Sequence, residues 1–196
     1  MNFDLLLYAL HVLFWASFGL TRIFLPRQAA AADTVPAAAT PAEAPFSRTV
    51  LALHMVAFAV LYFGIGSSVL PRRVPHWFAG QRAVGALVIV IGAALASWAI
   101  ASFHSWRFRA KLDAGHELAT NGAFGLLRHP IYAAMNLLAL GSAIWTPTLA
   151  TWIGFALMVI GSELRARSEE TLLRGAFGEA YVAYSKRTKR FVPFMY

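Results

Sequence analysis

The sequence contains no cysteine. Disulfide bonds, thiolate nucleophiles and cysteine-ligated zinc or iron–sulfur sites are therefore excluded. The six histidines are scattered without the spacing of a metal-ligand pair, so we predict no bound metal. A phosphate-cradling glycine loop and a Gly-x-Ser-x-Gly elbow are also absent from the sequence. Any cofactor is therefore expected to bind without a loop that contacts nucleotide phosphate groups.

Charged residues are scarce, at 13% of the 196 residues, whereas hydrophobic residues make up 59%. A soluble domain typically carries about a quarter charged residues, so this composition predicts an integral membrane protein. The formal net charge of +8 would also suit a nucleic-acid-binding protein. The basic residues cluster beside apolar segments, however, which favours positive-inside membrane topology over a face that binds nucleic acid.

Five apolar segments are candidates for membrane helices. Crossing the hydrocarbon core takes about 20 apolar residues, and the segments 3–25, 49–70 and 83–106 reach that length. The apolar stretch 131–164 is interrupted by "WTPT" (145–148), a good turn sequence, so we predict a tight helical hairpin rather than one long bent helix. The predicted fold class is all-α, with about five transmembrane helices and a cytoplasmic interfacial helix at the C-terminus.

The basic residues predict the orientation of the chain. Most of them fall in connections on one side, which predicts an outside N-terminus and a cytoplasmic C-terminus. The membrane itself is expected to be a bacterial inner or plasma membrane, with the active site on its cytoplasmic side. Along the chain we predict a first helix (1–27), a flexible Ala/Pro linker (28–48), two further helices (49–106) and a polar-rich region (107–196) that includes the hairpin. The basic residues that disagree with this orientation are Arg72, Arg73 and Arg82.

The sequence "RHPIY" (128–132) connects a glycine-containing loop to an apolar run. Because proline is favoured at the first position of a helix, Pro130 is predicted to open the fourth helix, with His129 near its N-cap. The first N–H groups of that helix would then be unpaired at the positive end of the helix dipole, which suits a carboxylate. Those groups belong to Ile131, Tyr132 and Ala133.

Two residues extend this predicted site in opposite directions. Tyr132 and Asn136 are four residues apart and share a helix face, so they continue a polar stripe into the apolar span. Arg128 borders the site on the loop side. A charged residue at bilayer depth costs roughly 2.5–3.5 kcal/mol, which indicates a function here. The alternative is that Arg128 and His129 only anchor the helix at headgroup level.

A second polar stretch, 163–193, follows the predicted hairpin. Arg165 and Glu169 lie four residues apart on one helical face near the membrane surface. Arginine before glutamate is the less favourable order for such a pair, so helix stabilisation alone explains it poorly. The apolar residues further along predict an amphipathic helix over 171–190 that lies in the membrane interface as an anchor. They are Leu173, Phe177, Ala180, Tyr181 and Tyr184.

Two motifs in this order are specific to a known family. "HELATNGAFGLLRHPIY" (116–132), followed about thirty residues later by "RARSEETLLRGAFGEAYVAY" (165–184), resembles the isoprenylcysteine carboxyl methyltransferase family, to which membrane methyltransferases of phospholipids are related. The resemblance covers residues 104–193. It implies S-adenosylmethionine as cofactor, a largely enclosed pocket open to the cytoplasm, and a lipophilic substrate that arrives from the bilayer.

The resemblance also implies roles for particular residues. Arg165 and Glu169 would be catalytic, and Arg165 would bind the substrate together with Asn136. The family usually has a tyrosine at Phe124 and a larger residue at Gly125, so one hydroxyl contact is missing in this chain. The implied cofactor contacts are His116, Glu117, Leu118, Ala119, Gly122, Phe124, His129, Pro130, Ile131, Tyr132, Glu169 and Glu170.

The implied reaction is O-methylation of the carboxylate of a lipophilic, isoprenoid-like acceptor, which is a small molecule or a lipid-modified partner. A carboxylate is already ionised at pH 7 and needs no general base. Two alternatives stay open. N-methylation of a phospholipid amine would need a carboxylate base, for which Glu163, Glu169 and Glu170 are candidates. A non-catalytic membrane protein that retains the pocket would bind no cofactor.

Overall fold

The computed structural model describes residues 3–24, 42–43, 47–69, 74–102, 111–112 and 118–195. Two short strands, β1 (Ala42–Glu43) and β2 (Lys111–Leu112), form an antiparallel pair. Of the predicted linker 28–48, only Ala42–Glu43 and the first residues of the second helix lie among the described residues. The helices are α1 (Phe3–Phe24), α2 (Ser47–Val69), α3 (Gln81–Ser102), α4 (Ala123–Leu126), α5 (Pro130–Trp145) and α6 (Leu149–Arg187).

The predicted class of all-α integral membrane protein is confirmed. Within the described ranges, three helices are long and apolar enough to cross a membrane, namely Arg48–Val69, Gln81–Ser102 and Leu149–Arg187. Two shorter apolar helices accompany them, Leu5–Ser17 and Pro130–Trp145. These five helices overlap the five apolar segments of the sequence.

The predicted turn between the last two helices is confirmed. Helix α5 ends at Trp145 and α6 begins at Leu149, with Pro147 between them. Thr148 and Thr151 cap the start of α6 reciprocally, because the Thr151 N–H donates to the Thr148 hydroxyl at 3.2 Å and the Thr148 N–H donates to the Thr151 hydroxyl at 3.1 Å. This reciprocal cap satisfies two amides at the start of the helix.

The end of α6 differs from the prediction. The hairpin was expected to end at Leu164, with a separate interfacial helix over 171–190, but α6 continues to Arg187 and bends only at Gly178, where φ is 52° and ψ is −126°. No proline interrupts this run, so nothing in the backbone ends the helix at the membrane boundary. Tyr181 and Tyr184 are buried against Leu118, so this part of the predicted anchoring face is covered by the protein's own loop.

The helices pack in pairs, with α3 on α5, α2 on α6 and α1 on α3. Small residues bring α3 and α5 close together, because a Cβ atom on Gly141 would lie only 2.7 Å from the Gly85 carbonyl oxygen. The hairpin returns α6 antiparallel to α5. The polar end of α6 therefore lies beside the first turn of α5, and this juxtaposition builds the candidate site.

Candidate active site at the start of helix α5

The start of α5 has the predicted geometry. Pro130 occupies the first turn and His129 is the N-cap residue. Among the described residues, no acceptor is found for the backbone N–H of Ile131 or of Tyr132. The prediction was wrong for Ala133, whose N–H donates to the His129 carbonyl oxygen at 3.0 Å. The helix bonds begin with that residue, so two donors rather than three point toward the loop.

Glu169 connects three side chains of the predicted site. Its Oε1 atom lies 3.2 Å from the Arg165 Nε and accepts a hydrogen bond from the Tyr132 hydroxyl at 2.5 Å. Its Oε2 atom lies 3.6 Å from the His129 Nδ1. The Arg165 guanidinium carbon is 5.4 Å from the centre of the Tyr132 ring, within the range of a cation–π contact.

Glu170 is the centre of a second set of ion pairs. Its Oε1 atom lies 3.0 Å from the Arg128 Nε and 3.3 Å from the His129 Nε2. Arg190 approaches both carboxylate oxygens, with Nε 3.0 Å from Oε1 and Nη2 2.8 Å from Oε2. His129 therefore lies between two adjacent carboxylates, one on each ring nitrogen.

The environment of His129 favours the protonated imidazole. Burial lowers the pKa of His129, but its contacts with the Glu169 and Glu170 carboxylates outweigh burial, so the pKa is raised above its ordinary value. The ring also stacks on Tyr132, with centroids 5.6 Å apart and planes 14° apart. Protonation of this imidazole would add positive charge at the end of α5 that already carries the positive helix dipole.

The loop before α5 contributes apolar residues. Leu118 and Phe124 are buried, and Ala119 packs partly buried against the cluster that contains Phe124. Gly122 has a φ of 59°, a conformation that glycine adopts without strain. The predicted contacts at residues 116 and 117 lie outside the described residues.

Two tyrosines of α6 line this loop, and neither was assigned to the site from the sequence. The Tyr184 hydroxyl donates to the Phe124 carbonyl oxygen at 2.7 Å. Tyr181 is 1% exposed, and its hydroxyl has no hydrogen-bond partner among the described residues. A buried hydroxyl without a partner is uncommon in proteins, so a water, a bound group or a residue outside the described ranges is expected to complete this contact.

Asn136 lies apart from these ion pairs. Its Oδ1 atom accepts a hydrogen bond from the Ser162 hydroxyl at 2.9 Å, and the Ser162 oxygen lies 3.5 Å from the Nε2 of buried His54. Asn136 lies one helical turn beyond Tyr132 along α5. The polar stripe predicted along α5 is present, and His54 of α2 adds a member that the sequence did not identify.

These features define a class of protein, an integral membrane helical bundle with a buried charged site at one end of its last two helices. A family model described as phospholipid methyltransferase matches residues 81–180, from α3 through most of α6. The chain belongs to this family of membrane methyltransferases, and the match includes Arg165, Glu169 and the whole of α5.

Curated relatives agree with this assignment. The chain is 25% identical over 144 residues to a probable protein-S-isoprenylcysteine O-methyltransferase from Oryza sativa subsp. indica, an alignment that covers 71% of this chain and 74% of the relative. It is 28% identical over 130 residues to protein-S-isoprenylcysteine O-methyltransferase B from Arabidopsis thaliana, which covers 64% of each chain. The resemblance to isoprenylcysteine carboxyl methyltransferases predicted from the sequence is therefore confirmed.

Proposed function

We propose that this membrane methyltransferase uses S-adenosylmethionine to methylate the carboxylate of a lipophilic, isoprenoid-like acceptor. The observation that carries the proposal is Arg165, a buried cation that is 7% exposed and follows the apolar part of α6 directly. A cation at this depth suits an anionic group attached to an apolar chain. The relatives are named as O-methyltransferases of protein isoprenylcysteine, which supports the same acceptor chemistry.

The residues at the start of α5 fit the proposed cofactor. S-adenosylmethionine has an amino-acid carboxylate, an ammonium group and ribose hydroxyls, and no phosphate. The N–H groups of Ile131 and Tyr132 are suited to its carboxylate, and Glu169 is suited to its ammonium or ribose hydroxyls. The Tyr181 hydroxyl, for which the described residues offer no partner, would supply the polar contact that Phe124 lacks.

The remaining proposed cofactor contacts have different roles. Leu118, Ala119, Gly122 and Phe124 would form the apolar wall, and residues 116 and 117 would continue it. His129 and Pro130 would fix the helix start. Because Arg128 and Arg190 already contact the Glu170 carboxylate, we propose that Glu170 supports the site through His129 rather than touching the cofactor.

Arg165 would act by holding the acceptor. When bound, the cofactor supplies an electrophilic sulfonium methyl group, which is transferred as the new O–CH3 bond forms and the S–CH3 bond breaks. The Glu169 contact fixes the plane of the Arg165 guanidinium, and a guanidinium matches a carboxylate with two parallel N–H···O bonds. Holding reactants in line can supply about 7–11 kcal/mol of the barrier, and a buried site also excludes water.

Amine methylation is the second candidate, and the description of the family model supports it. That reaction needs a group to accept the proton of the amine. The three nearby carboxylates are each engaged with cations in the structure, Glu163 with Arg167 and Arg190 among them. A carboxylate neutralised in this way is a poor proton acceptor, so the geometry favours the carboxylate acceptor.

The test is a comparison of Arg165→Ala with Arg165→Lys and wild type. Hydrogen bonds to charged groups contribute about 1.5–3 kcal/mol, so we expect Arg165→Ala to lower kcat/KM for an isoprenylated cysteine roughly 100-fold. Binding of S-adenosylmethionine should change little. Arg165→Lys should recover only part of the loss, because an ammonium cannot form the two parallel bonds. Unchanged kcat/KM in Arg165→Ala would remove Arg165 from the acceptor site.

A further inference from the structure

The segment that follows α6 returns across the candidate site. Residues 188–191, called here the C-terminal strap, lie against the loop that precedes α5. The Arg128 N–H donates to the Lys189 carbonyl oxygen at 2.7 Å, and the His129 N–H donates to the Arg190 carbonyl oxygen at 3.2 Å. The strap therefore satisfies two backbone donors immediately before Pro130, and it does so with the main chain.

The Arg190 side chain fixes the strap to α6. It contacts both oxygens of Glu170, and its Nη1 atom lies 2.8 Å from the Glu163 Oε1. Glu163 and Glu170 are seven residues apart, two turns along the same face of α6. A single guanidinium therefore bridges two carboxylates of one helix face, and its side chain is only 15% exposed.

Glu170 connects Arg190 to the candidate site. It lies 3.3 Å from the His129 Nε2, on the opposite side of the ring from Glu169. Phe191 of the strap also approaches His129, with ring centroids 6.1 Å apart. His129 is thus contacted by two carboxylates of α6, by Phe191 of the strap and by Tyr132 of α5.

We propose that Arg190 is a positioning residue for the methyl-donor site, acting through Glu170 to orient His129 and the first turn of α5. The inference rests on the proposed function for its link to cofactor binding. Arg190 lies outside the residues that the family model matches, which end at 180. The donor site is therefore completed by a segment beyond the matched region.

The alternative is that Arg190 only stabilises the attachment of the C-terminal strap to α6. Exposed ion pairs of that kind are worth about 0–1 kcal/mol and are weakened by salt. The Arg190–Glu170 pair differs because it is two-pronged, mostly buried and shared with His129. The interaction energy between two groups in one such network is typically about 0.5–3 kcal/mol. Loss of Arg190 is therefore expected to weaken the affinity of a ligand bound beside His129 roughly tenfold.

The experiment uses the full-length protein in detergent and two readouts. The variants are Arg190→Ala, Arg190→Lys and Lys186→Ala, a matched loss of positive charge at an exposed position in the last turn of α6. The first readout is the affinity for S-adenosylmethionine by calorimetry. The second is the titration of His129 by NMR without ligand, which reports the position of Glu170 whether or not the cofactor binds.

If Arg190 positions Glu170, Arg190→Ala weakens cofactor binding about tenfold, Arg190→Lys gives an intermediate value, and Lys186→Ala matches wild type. The pKa of His129 falls in Arg190→Ala, because Glu170 turns from the ring toward Arg128. An unchanged or higher pKa would show that Glu170 stays in place without Arg190 and would overturn the inference. Wild-type protein that does not bind S-adenosylmethionine would instead contradict the proposed function and leave the titration result to decide the role of Arg190.

Discussion

Replacement of Arg128 distinguishes two explanations of its position beside an apolar helix. The Nε atom of Arg128 lies 3.0 Å from Glu170, and its Nη1 atom donates to the Ser185 carbonyl oxygen at 3.0 Å and to the Thr188 carbonyl oxygen. Arg128 therefore joins the loop before α5 to the end of α6. If Arg128 only anchored the helix at headgroup level, these contacts would contribute nothing to stability.

The burial of the Arg128–Glu170 pair sets the loss of stability that is expected in Arg128→Ala. Removing one member of a buried ion pair typically costs about 3–5 kcal/mol, and exposed pairs contribute less than about 1 kcal/mol. The side chains of Arg128 and Glu170 are 14% and 12% exposed, and Glu170 keeps Arg190 as a partner in the variant. We therefore expect Arg128→Ala to lower the free energy of local opening of the C-terminal strap by about 2–3 kcal/mol.

Hydrogen exchange measures that opening directly. The amides of residues 128 and 129 donate to strap carbonyl oxygens, so a peptide that contains them reports when the strap detaches. A change of about 2–3 kcal/mol accelerates their exchange roughly 30- to 150-fold. Arg174→Ala, which removes an exposed arginine from α6, is the matched control and should leave the exchange rate unchanged.

Arg128→Lys separates the two explanations. A lysine can anchor a helix end as well as an arginine does, but it cannot reach Glu170 and two carbonyl oxygens together. We expect Arg128→Lys to exchange nearly as fast as Arg128→Ala. Wild-type exchange in Arg128→Lys, or an effect of Arg128→Ala no larger than that of Arg174→Ala, would refute the assignment of Arg128 as a link between the loop and α6.

Two further predictions concern packing and orientation. Gly141→Ala should destabilise the protein by about 1–3 kcal/mol, measured by thermal unfolding in detergent, because its Cβ would lie 2.7 Å from the Gly85 carbonyl oxygen. Gly66→Ala, where a Cβ would meet nothing within 4 Å, should leave the stability of the protein unchanged. Because the chain has no native cysteine, single cysteines report orientation. Lys186→Cys should react with an impermeant thiol reagent from the cytoplasmic side and Ala79→Cys from the outside, and the reverse pattern would contradict the proposed topology.

The sequence predicted those parts of the fold that depend on local signals. The turn at 145–148 follows from a proline flanked by threonines, and the start of α5 follows from Pro130, because both act through the backbone of adjacent residues. The length of α6 was not predicted, because a drop in hydropathy after Leu164 marks a change of environment and not the end of a helix. The bend occurs instead at Gly178, where φ is positive.

The contacts that assemble the site were less accessible to sequence reasoning. Arg165, Glu169, Tyr132 and His129 were assigned from their motifs, and the structure brings these four together. The contact between Arg190 and Glu170 joins residues 20 apart on different elements, and no periodicity encodes it. Three-dimensional packing decides such pairs, so they appear only once the hairpin has placed the end of α6 beside the start of α5.

Binding of S-adenosylmethionine to the purified protein decides whether the start of α5 is a methyl-donor site. Calorimetry should give a one-to-one complex, and Glu169→Gln should weaken it about tenfold or more, because the charged acceptor for the ammonium or ribose hydroxyls is lost. Lys186→Ala should leave the affinity unchanged. Wild-type protein that is folded and yet shows no binding would contradict the proposed methyltransferase function and favour a membrane protein that keeps this site without catalysis.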